Sequence, residues 1–231
     1  MRAKYYTKIV YPIQDKVISV FKGSPFYLTG GTALSRGYFN HRYSDDLDFF
    51  INNSADFKNI AQQQIVKIYS LFKDLKVKVY PEMFRLSAQK DKLKIDIVNY
   101  TYMHPGKRVN HPVLGALDSK ENILANKLTA LVDRAAPKDI VDIYFLLKDG
   151  MSLKQALTDV RSKSVGISPV FVARILTNYD YNRIDNNIEW VNPISTKEIK
   201  EYFKGVILDI VYGQEQVRHS GQDIEHKRRH R

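Results

Sequence analysis

The residues best suited to chemistry lie between positions 30 and 48, where a glycine pair precedes a group of acids. Gly30-Gly31 follows the apolar run 26–28 and opens a predicted helix, so backbone N–H groups there can face a phosphate that no side chain blocks. Asp46 and Asp48 follow in a predicted strand and point to the same face. Two adjacent carboxylates repel each other, and Mg²⁺, which takes carboxylate and phosphate oxygens, is the usual compensation. The pattern indicates a nucleotide phosphate site facing a magnesium site.

Each half of this pattern also has an ordinary explanation. A Gly-Gly pair is often only a turn, and an acid-rich segment is often a solvated loop or a helix cap. An exposed loop does not need apolar residues between its acids, whereas a strand with one buried face does. Leu47, Phe49 and Ile51 occupy those alternating positions. Ser44, two residues before Asp46, is either a modification target or, more commonly, a turn cap.

Another acid lies in a second predicted strand, at 92–98. Charged and apolar residues alternate there, which is typical of a half-buried strand, and Asp96 stands between Ile95 and Ile97. Its ordinary explanation is a surface acid of an edge strand, balanced by Lys92 and Lys94.

Two predicted helices follow, at 121–131 and 137–147. The first has apolar residues at helical spacing, and a proline suits the first turn of the second. Asp139 and Asp142 are three positions apart and therefore share a helix face. Lys127 is a point charge suited to a triphosphate, while Arg134 offers a planar fork. The ordinary explanation is that both cations face solvent and pair with nearby acids, for about 0.3 to 0.5 kcal/mol per pair.

Together these segments resemble the AbiEii toxin group, which includes the MenT toxins, within the polymerase-beta-like nucleotidyltransferase superfamily. The resemblance covers about residues 26–148 and rests on four motifs. These are Gly-Gly-Thr-Ala-Leu at 30–34, His-Arg-Tyr-Ser at 41–44, Asp-Leu-Asp-Phe at 46–49, and a Lys, Arg, Lys-Asp, Asp series at 127–142.

The resemblance implies a role for each matching residue. Asp96 joins the first two acids at the metal and accepts a proton from the attacking hydroxyl, Lys127 binds nucleotide phosphate, and Asp142 completes the site. The metal-site candidates are therefore Asp46, Asp48 and Asp96, and the catalytic candidates are these three with Lys127 and Asp142. The candidates for nucleotide binding are Gly30, Gly31, Thr32, Ser44, Lys127, Arg134, Lys138 and Asp139.

A small sheet and several helices are needed to position these residues. Periodicity and breakers predict helices at 5–21, 30–39, 54–72, 152–161, 168–178 and 196–211, strands at 26–29, 46–51, 77–80 and 84–86, and a loop at 103–112. The predicted class is α+β, a small mixed-sheet nucleotidyltransferase core with flanking helices and a helical C-terminal region. We divide the chain into an α/β core that includes the N-terminal helix (1–110), a helical region that completes the cleft (111–215) and a basic flexible tail (216–231).

Composition restricts the class of protein. The chain has 231 residues, 44% of them apolar, which is ample for a core. No apolar run reaches 18 residues, so no membrane span is expected, and the N-terminus lacks the apolar centre of a secretion signal. The absence of cysteine excludes disulfides and thiolate metal sites. A cytoplasmic location fits these features.

The charge points to a polyanionic partner. Thirty-six Lys and Arg residues against 25 Asp and Glu residues give a formal charge of +11, which raises encounter rates with nucleic acid. Part of this excess lies in the predicted tail. Four aromatic residues of the C-terminal region, Tyr179, Tyr181, Trp190 and Tyr202, are either base-stacking residues or, as we favour, packing residues of the core.

These features lead to one functional hypothesis and two alternatives. The chain is expected to be a Mg²⁺-dependent, template-independent nucleotidyltransferase that serves as the toxin of a bacterial toxin–antitoxin system of the abortive-infection type. By resemblance to MenT, it transfers NMP from an NTP to RNA, at the 3′ end of a tRNA, and has a cognate antitoxin. The alternatives are a small-molecule or protein nucleotidyltransferase of the antibiotic-modifying type, which the basic charge disfavours, and a non-catalytic RNA-binding module, which the intact motif residues disfavour.

Overall fold

The computed structural model describes residues 2–89, 92–161, 163 and 166–228, with the backbone alone at Arg2 and at 214–228. A seven-stranded mixed sheet has the strand order β3-β4-β5-β2-β1-β7-β6. The predicted α+β class, with a mixed sheet, flanking helices and a helical C-terminal region, is confirmed. The strands are β1 (Tyr27–Thr29), β2 (Leu47–Asn52), β3 (Lys76–Tyr80), β4 (Met83–Ala88), β5 (Leu93–Tyr100), β6 (Val109–His111) and β7 (Gly115–Leu117).

The inner strands β2 and β5 carry the predicted acids. Leu47, Phe49 and Ile51 are buried and alternate with half-buried neighbours, as the period of two predicts. The two strands are parallel, and their register places Asp48 opposite Asp96. Asp46 lies just before β2 rather than within it.

The helices pack around this sheet. They are α1 (Arg2–Tyr5), α2 (Tyr11–Phe21), α3 (Gly30–Thr32), α4 (Phe57–Tyr69), α5 (Lys120–Arg134), α6 (Pro137–Lys148), α7 (Leu153–Arg161), α8 (Pro169–Asn178), α9 (Arg183–Asn187) and α10 (Thr196–Arg228). A π-helical segment, Tyr6–Val10, joins α1 to α2, and another, Ala33–Phe39, continues α3. The Ser119 hydroxyl accepts a hydrogen bond from the Asn122 N–H and so caps α5, the helix that carries Lys127.

Backbone hydrogen bonds connect the C-terminal region to the motif at 41–44, which precedes β2. The Tyr43 N–H donates to the Glu189 carbonyl at 2.7 Å, and the Val191 N–H donates to the His41 carbonyl at 3.0 Å. The segment after α9 thus fixes the backbone of residues 41–43 from outside the sheet.

Two details differ from the predicted elements. Strand β6 lies within the segment expected to be a loop, and β7 lies just after that segment. Each of these strands has only three residues, which is too few to show alternation. The helix expected at 196–211 continues as backbone helix to Arg228, through most of the predicted tail, and residues 229–231 lie outside the described residues. The division of the chain at 110 and 215 stays a prediction.

The aromatic residues of the C-terminal region belong to the packing. Tyr179 and Tyr181 are buried in the core, while Trp190 and Tyr202 are partly buried against it. The packing role that we favoured for them is confirmed. Of the described helices, none is both long enough and apolar enough to cross a membrane.

Candidate active site

A cavity of about 730 Å³ lies between the sheet and α5. Its floor is formed by the ends of β1, β2 and β5, and its wall by α5 and the start of α6. The structure brings most of the predicted site residues to this cavity: Gly30, Gly31, Ser44, Asp46, Asp48, Asp96, Lys127, Arg134 and Lys138 line it. Thr32, Asp139 and Asp142 do not line it and are buried behind it.

The carboxylates on the floor crowd each other. The pKa of Asp48 is raised from 3.8 to about 6 by burial first and then by the charges of Asp96 and Asp46. Lys138 compensates in part, since its Nζ lies 3.6 Å from Asp46 Oδ2. Carboxylate oxygens that lie this close together in spite of their repulsion are the ligands that a hard divalent cation prefers. Within the described residues, however, no three His, Cys, Asp or Glu side chains are already arranged to hold a metal ion.

The Asp96 carboxylate already forms an ion pair with a basic side chain of the protein. Arg85 on β4 donates from Nε to Oδ1 at 2.8 Å and from Nη2 to Oδ2 at 2.7 Å, a bidentate pair. The alternative explanation, an acid on an edge strand, is wrong about the strand, because β5 lies between β4 and β2. Asp96 therefore lies beside Asp48, and it can join a metal site only where the pair with Arg85 shifts.

The two glycines allow the backbone to approach these acids. Gly30 has φ +69°, and a Cβ there would lie 2.4 Å from Asp48 Oδ2. A Cβ on Gly31 would lie 2.5 Å from Arg42 Nη2 and 3.1 Å from Ser44 Oγ. Any side chain at either position would displace the acid or the groups behind it, so this turn requires glycine.

Polar contacts fix the loop that carries Asp46. Thr32 Oγ1 lies 3.0 Å from Ser44 Oγ and also donates to the Asp46 carbonyl. Gln14 Nε2 donates to the Ser44 and Asp45 carbonyls at 2.9 and 3.0 Å. Ser44 and Thr32 are thus buried parts of the support of this loop.

Behind the cavity wall, Asp142 is fully buried among three basic side chains. Arg42 Nε and Nη2 donate to its two oxygens at 2.7 Å each, Lys127 Nζ lies 2.7 Å from Oδ2, and His41 Nε2 lies 2.9 Å from Oδ1. Burial opposes ionisation, but Arg42 and Lys127 outweigh it and hold the pKa of Asp142 well below its usual range. Burial lowers the pKa of His41, which is therefore neutral at pH 7.

Asp139 extends this network to the cavity. It accepts from Lys127 Nζ at 2.9 Å and from Arg134 at 2.8 and 3.1 Å, and these cations lower its pKa against the effect of burial. Lys127 is 8% exposed, so its ammonium is fixed between two carboxylates rather than free in solvent. As far as the described residues go, one of its three N–H groups has no partner and is left for a ligand in the cavity.

Several residues that contribute to this site were not predicted from the sequence. Arg42 belongs to the motif at 41–44, but no role was predicted for it. A charged residue beside buried motif positions could have been identified as a candidate site residue. Arg85 alternates with buried Phe84 and Leu86 in its strand, which was also visible, but its pairing with Asp96 depends on the register of β4 and β5. Nothing in the sequence pointed to Lys163, which lines the cavity from beyond α7.

A glycine turn followed by acids at the start of β2, opposite a helix with a fixed lysine, is the arrangement that the resemblance to nucleotidyltransferases predicted. Comparison with known families agrees: residues 15–216 match the family described as "Nucleotidyl transferase AbiEii toxin, Type IV TA system". The chain belongs to this family and is a nucleotidyltransferase of a toxin–antitoxin system. Membership implies an NTP substrate and a cognate antitoxin.

Individual relatives are similar over most of their length. An uncharacterized protein of Aquifex aeolicus (strain VF5) is 28% identical over 200 residues, 82% of this chain and 94% of that protein. The crystal structure of JHP933 from Helicobacter pylori has a TM-score of 0.59 and 20% identity, covering 94% of this chain and 96% of that one. MenT4, a nucleotidyltransferase toxin of Mycobacterium tuberculosis H37Rv, has a TM-score of 0.58 and 14% identity, covering 90% and 84%. The two structures show that the fold is shared.

Replacing Asp142 with Asn should strongly destabilise the chain, because two buried cations lose the charge that compensates them. We expect the free energy of unfolding to fall by about 3 to 5 kcal/mol, measured by urea denaturation at pH 7. The control Asp209→Asn, on the exposed face of α10, should change it by less than about 0.5 kcal/mol. A loss below about 1 kcal/mol for Asp142→Asn would show that the network contributes little.

Replacing Asp48 with Asn should have the opposite effect in the absence of metal. Since the pKa of Asp48 is higher in the folded chain than its ordinary 3.8, its ionisation disfavours the folded state; this penalty is absent below about pH 4 and complete above about pH 6. In EDTA at pH 7.5, Asp48→Asn should raise the free energy of unfolding by about 1 to 3 kcal/mol. The gain should shrink as the pH falls through 6 towards 4. A variant less stable than the wild type at pH 7.5 would contradict the crowding of these acids.

Proposed function

We propose that this toxin is a Mg²⁺-dependent, template-independent nucleotidyltransferase that transfers NMP from an NTP to RNA, with the 3′ end of a tRNA as the acceptor. The observation that carries the proposal is the charge of the cavity. Its lining includes four acids, all but one of them gathered on the floor, and seven basic side chains around them. The acids are Asp46, Asp48, Asp96 and Asp133, and the basic residues are Arg42, Arg85, Lys94, Lys127, Arg134, Lys138 and Lys163.

This distribution suits the two substrates of the proposed reaction. The floor acids would hold a divalent cation, and the basic wall would neutralise a triphosphate and the backbone of an RNA end. A cationic small molecule, such as an aminoglycoside, would meet a surplus of positive charge in the same cavity. The surplus therefore favours a polyanionic acceptor over the antibiotic-modifying alternative.

The residues of the chain have separate roles in this mechanism. Asp46 and Asp48 would hold the cation, which would supply positive charge to the phosphate oxygens at which negative charge develops. Lys127, fixed by Asp139 and Asp142, directs its remaining N–H to the triphosphate, and Lys138 lies at the same acids. The turn at Gly30 and Gly31 keeps side chains away from the phosphates.

The transfer forms one bond and breaks another. The acceptor hydroxyl attacks the α-phosphorus, the bond from that phosphorus to the bridging oxygen breaks, and pyrophosphate leaves. Asp96 accepts the hydroxyl proton, since a carboxylate paired with Arg85 still has lone pairs available. Positioning and charge neutralisation supply most of the rate acceleration in such chemistry.

Radiolabelled NTPs test this proposal directly. We expect α-labelled NTP, incubated with total tRNA, Mg²⁺ and the full chain, to label the RNA with at least one of the four nucleotides. Asp46→Asn should lower the rate by roughly 100-fold or more, because it removes a carboxylate from the cation site. Asp209→Asn, which makes the same change far from the cavity, should be fully active. No label with any nucleotide, or equal labelling by Asp46→Asn, would overturn the proposal.

A further inference from the structure

Part of the cavity lies beyond the catalytic acids and has a different character. Phe50 follows Asp48 by two positions on the same face of β2, about 7 Å further along the strand. The ring of Tyr100 lies 5.2 Å from that of Phe50, nearly parallel, and Tyr102 meets Tyr100 edge-on at 5.6 Å. All three line the cavity, and Tyr102 is 50% exposed. This end therefore offers aromatic surface about 7 Å along the sheet from Asp48.

A hydrogen-bond relay fixes the side chain of Asn126 at this end. Its carbonyl oxygen accepts from the Tyr100 hydroxyl at 2.8 Å and from Lys163 Nζ at 3.1 Å. Two donors on one atom define it as the oxygen, so the amide nitrogen must point the other way. No described residue accepts a hydrogen bond from that nitrogen, and Asn126 lines the cavity. Its N–H groups are left for a ligand.

Lys163 supplies a second donor to this end of the cavity. Its Nζ donates to Asn122 at 2.7 Å as well as to Asn126, and it lies over the Tyr100 ring at 5.1 Å from the centroid. Within the described part of the chain, two of its three N–H groups are used and one remains. Burial lowers its pKa to about 8, so it still carries its proton at pH 7.

These groups form a site with aromatic surface and two donors, the Asn126 amide and the Lys163 ammonium, on side chains that are hydrogen-bonded to each other. Cytosine presents O2 beside N3, and guanine presents O6 beside N7, both of them pairs of acceptors. On adenine, N1 and N7 each adjoin the N6 amino donor, and on uracil, O2 and O4 each adjoin the N3–H donor. With adenine or uracil, one donor of the site would face a donor of the base. Both groups would then lack a hydrogen-bond partner, which weakens binding.

We propose that Phe50, Tyr102, Asn126 and Lys163 form a nucleobase subsite for the incoming NTP that selects cytosine and guanine through two adjacent acceptor atoms. The inference rests on the proposed transfer from an NTP, and it adds the choice of nucleotide. Asn122 and Tyr100 are positioning residues in this subsite, since they fix Asn126 and Lys163.

Nucleotide binding without transfer tests the subsite. We would titrate each of the four NTPs into the full chain with Mg²⁺ and without RNA, using calorimetry. CTP and GTP should bind roughly tenfold more tightly than UTP and ATP. Asn126→Asp, which replaces the donor with an acceptor, should weaken the binding of CTP and GTP by about tenfold and abolish the preference, because it removes one contact to the base. The control Asn186→Asp, exposed on α9, should bind like the wild type.

A second pair of variants tests the aromatic surface independently of Asn126. Tyr102 is half exposed, so its variants should fold. Tyr102→Leu should weaken all four nucleotides by about fivefold or more through lost stacking, whereas Tyr102→Phe should retain wild-type affinity. If both variants bind like the wild type, or if Asn126→Asp keeps the original order of the four NTPs, the subsite is wrong.

Two outcomes separate this inference from the proposed function. An effect of Asn126→Asp confined to the Michaelis constant of the RNA acceptor would overturn the assignment to the incoming nucleotide. Binding that depends on Asn126, in a chain that transfers no label to RNA, would support the subsite and overturn the acceptor.

Discussion

The fold of this toxin depends on a buried carboxylate that three parts of the chain share. Asp142 on α6 meets Arg42 and His41 from the motif before β2, and Lys127 from α5. None of these groups is stable alone in the interior, because a buried charge without a partner costs several kcal/mol. The network therefore holds two helices and the motif segment in one arrangement, and that arrangement presents Lys127 to the cavity.

The floor of the cavity has the opposite electrostatic balance. Behind the wall, each buried acid has its cations; on the floor, Asp48 faces Asp96 and Asp46, and its pKa rises to about 6. Among the described residues, Arg85 pairs with Asp96 and Lys138 with Asp46, while Lys127 and Lys138 offset only part of the charge at Asp48. The chain thus satisfies the charges that support the site and leaves those at its centre partly uncompensated. This contrast is what a cation and a nucleotide triphosphate would complete.

Much of this arrangement could be predicted from local patterns. The alternation around Asp48 and Asp96 predicted two half-buried strands, and helical spacing predicted the helices of Lys127 and Asp142. What escaped prediction depends on residues far apart in sequence. Arg42 meets Asp142 a hundred positions later, and Lys163 reaches Asn126 from beyond α7. Such contacts follow from packing and register, which periodicity does not encode.

Binding of Mn²⁺, a paramagnetic substitute for Mg²⁺, tests the central claim that the floor acids hold a catalytic cation. Free Mn²⁺ can be followed by electron paramagnetic resonance while the full chain is titrated in the presence of NTP. The account predicts that wild-type protein and Asp209→Asn bind Mn²⁺ equally, and that Asp46→Asn and Asp48→Asn each weaken binding by about tenfold or more. Equal binding by all four proteins would contradict it.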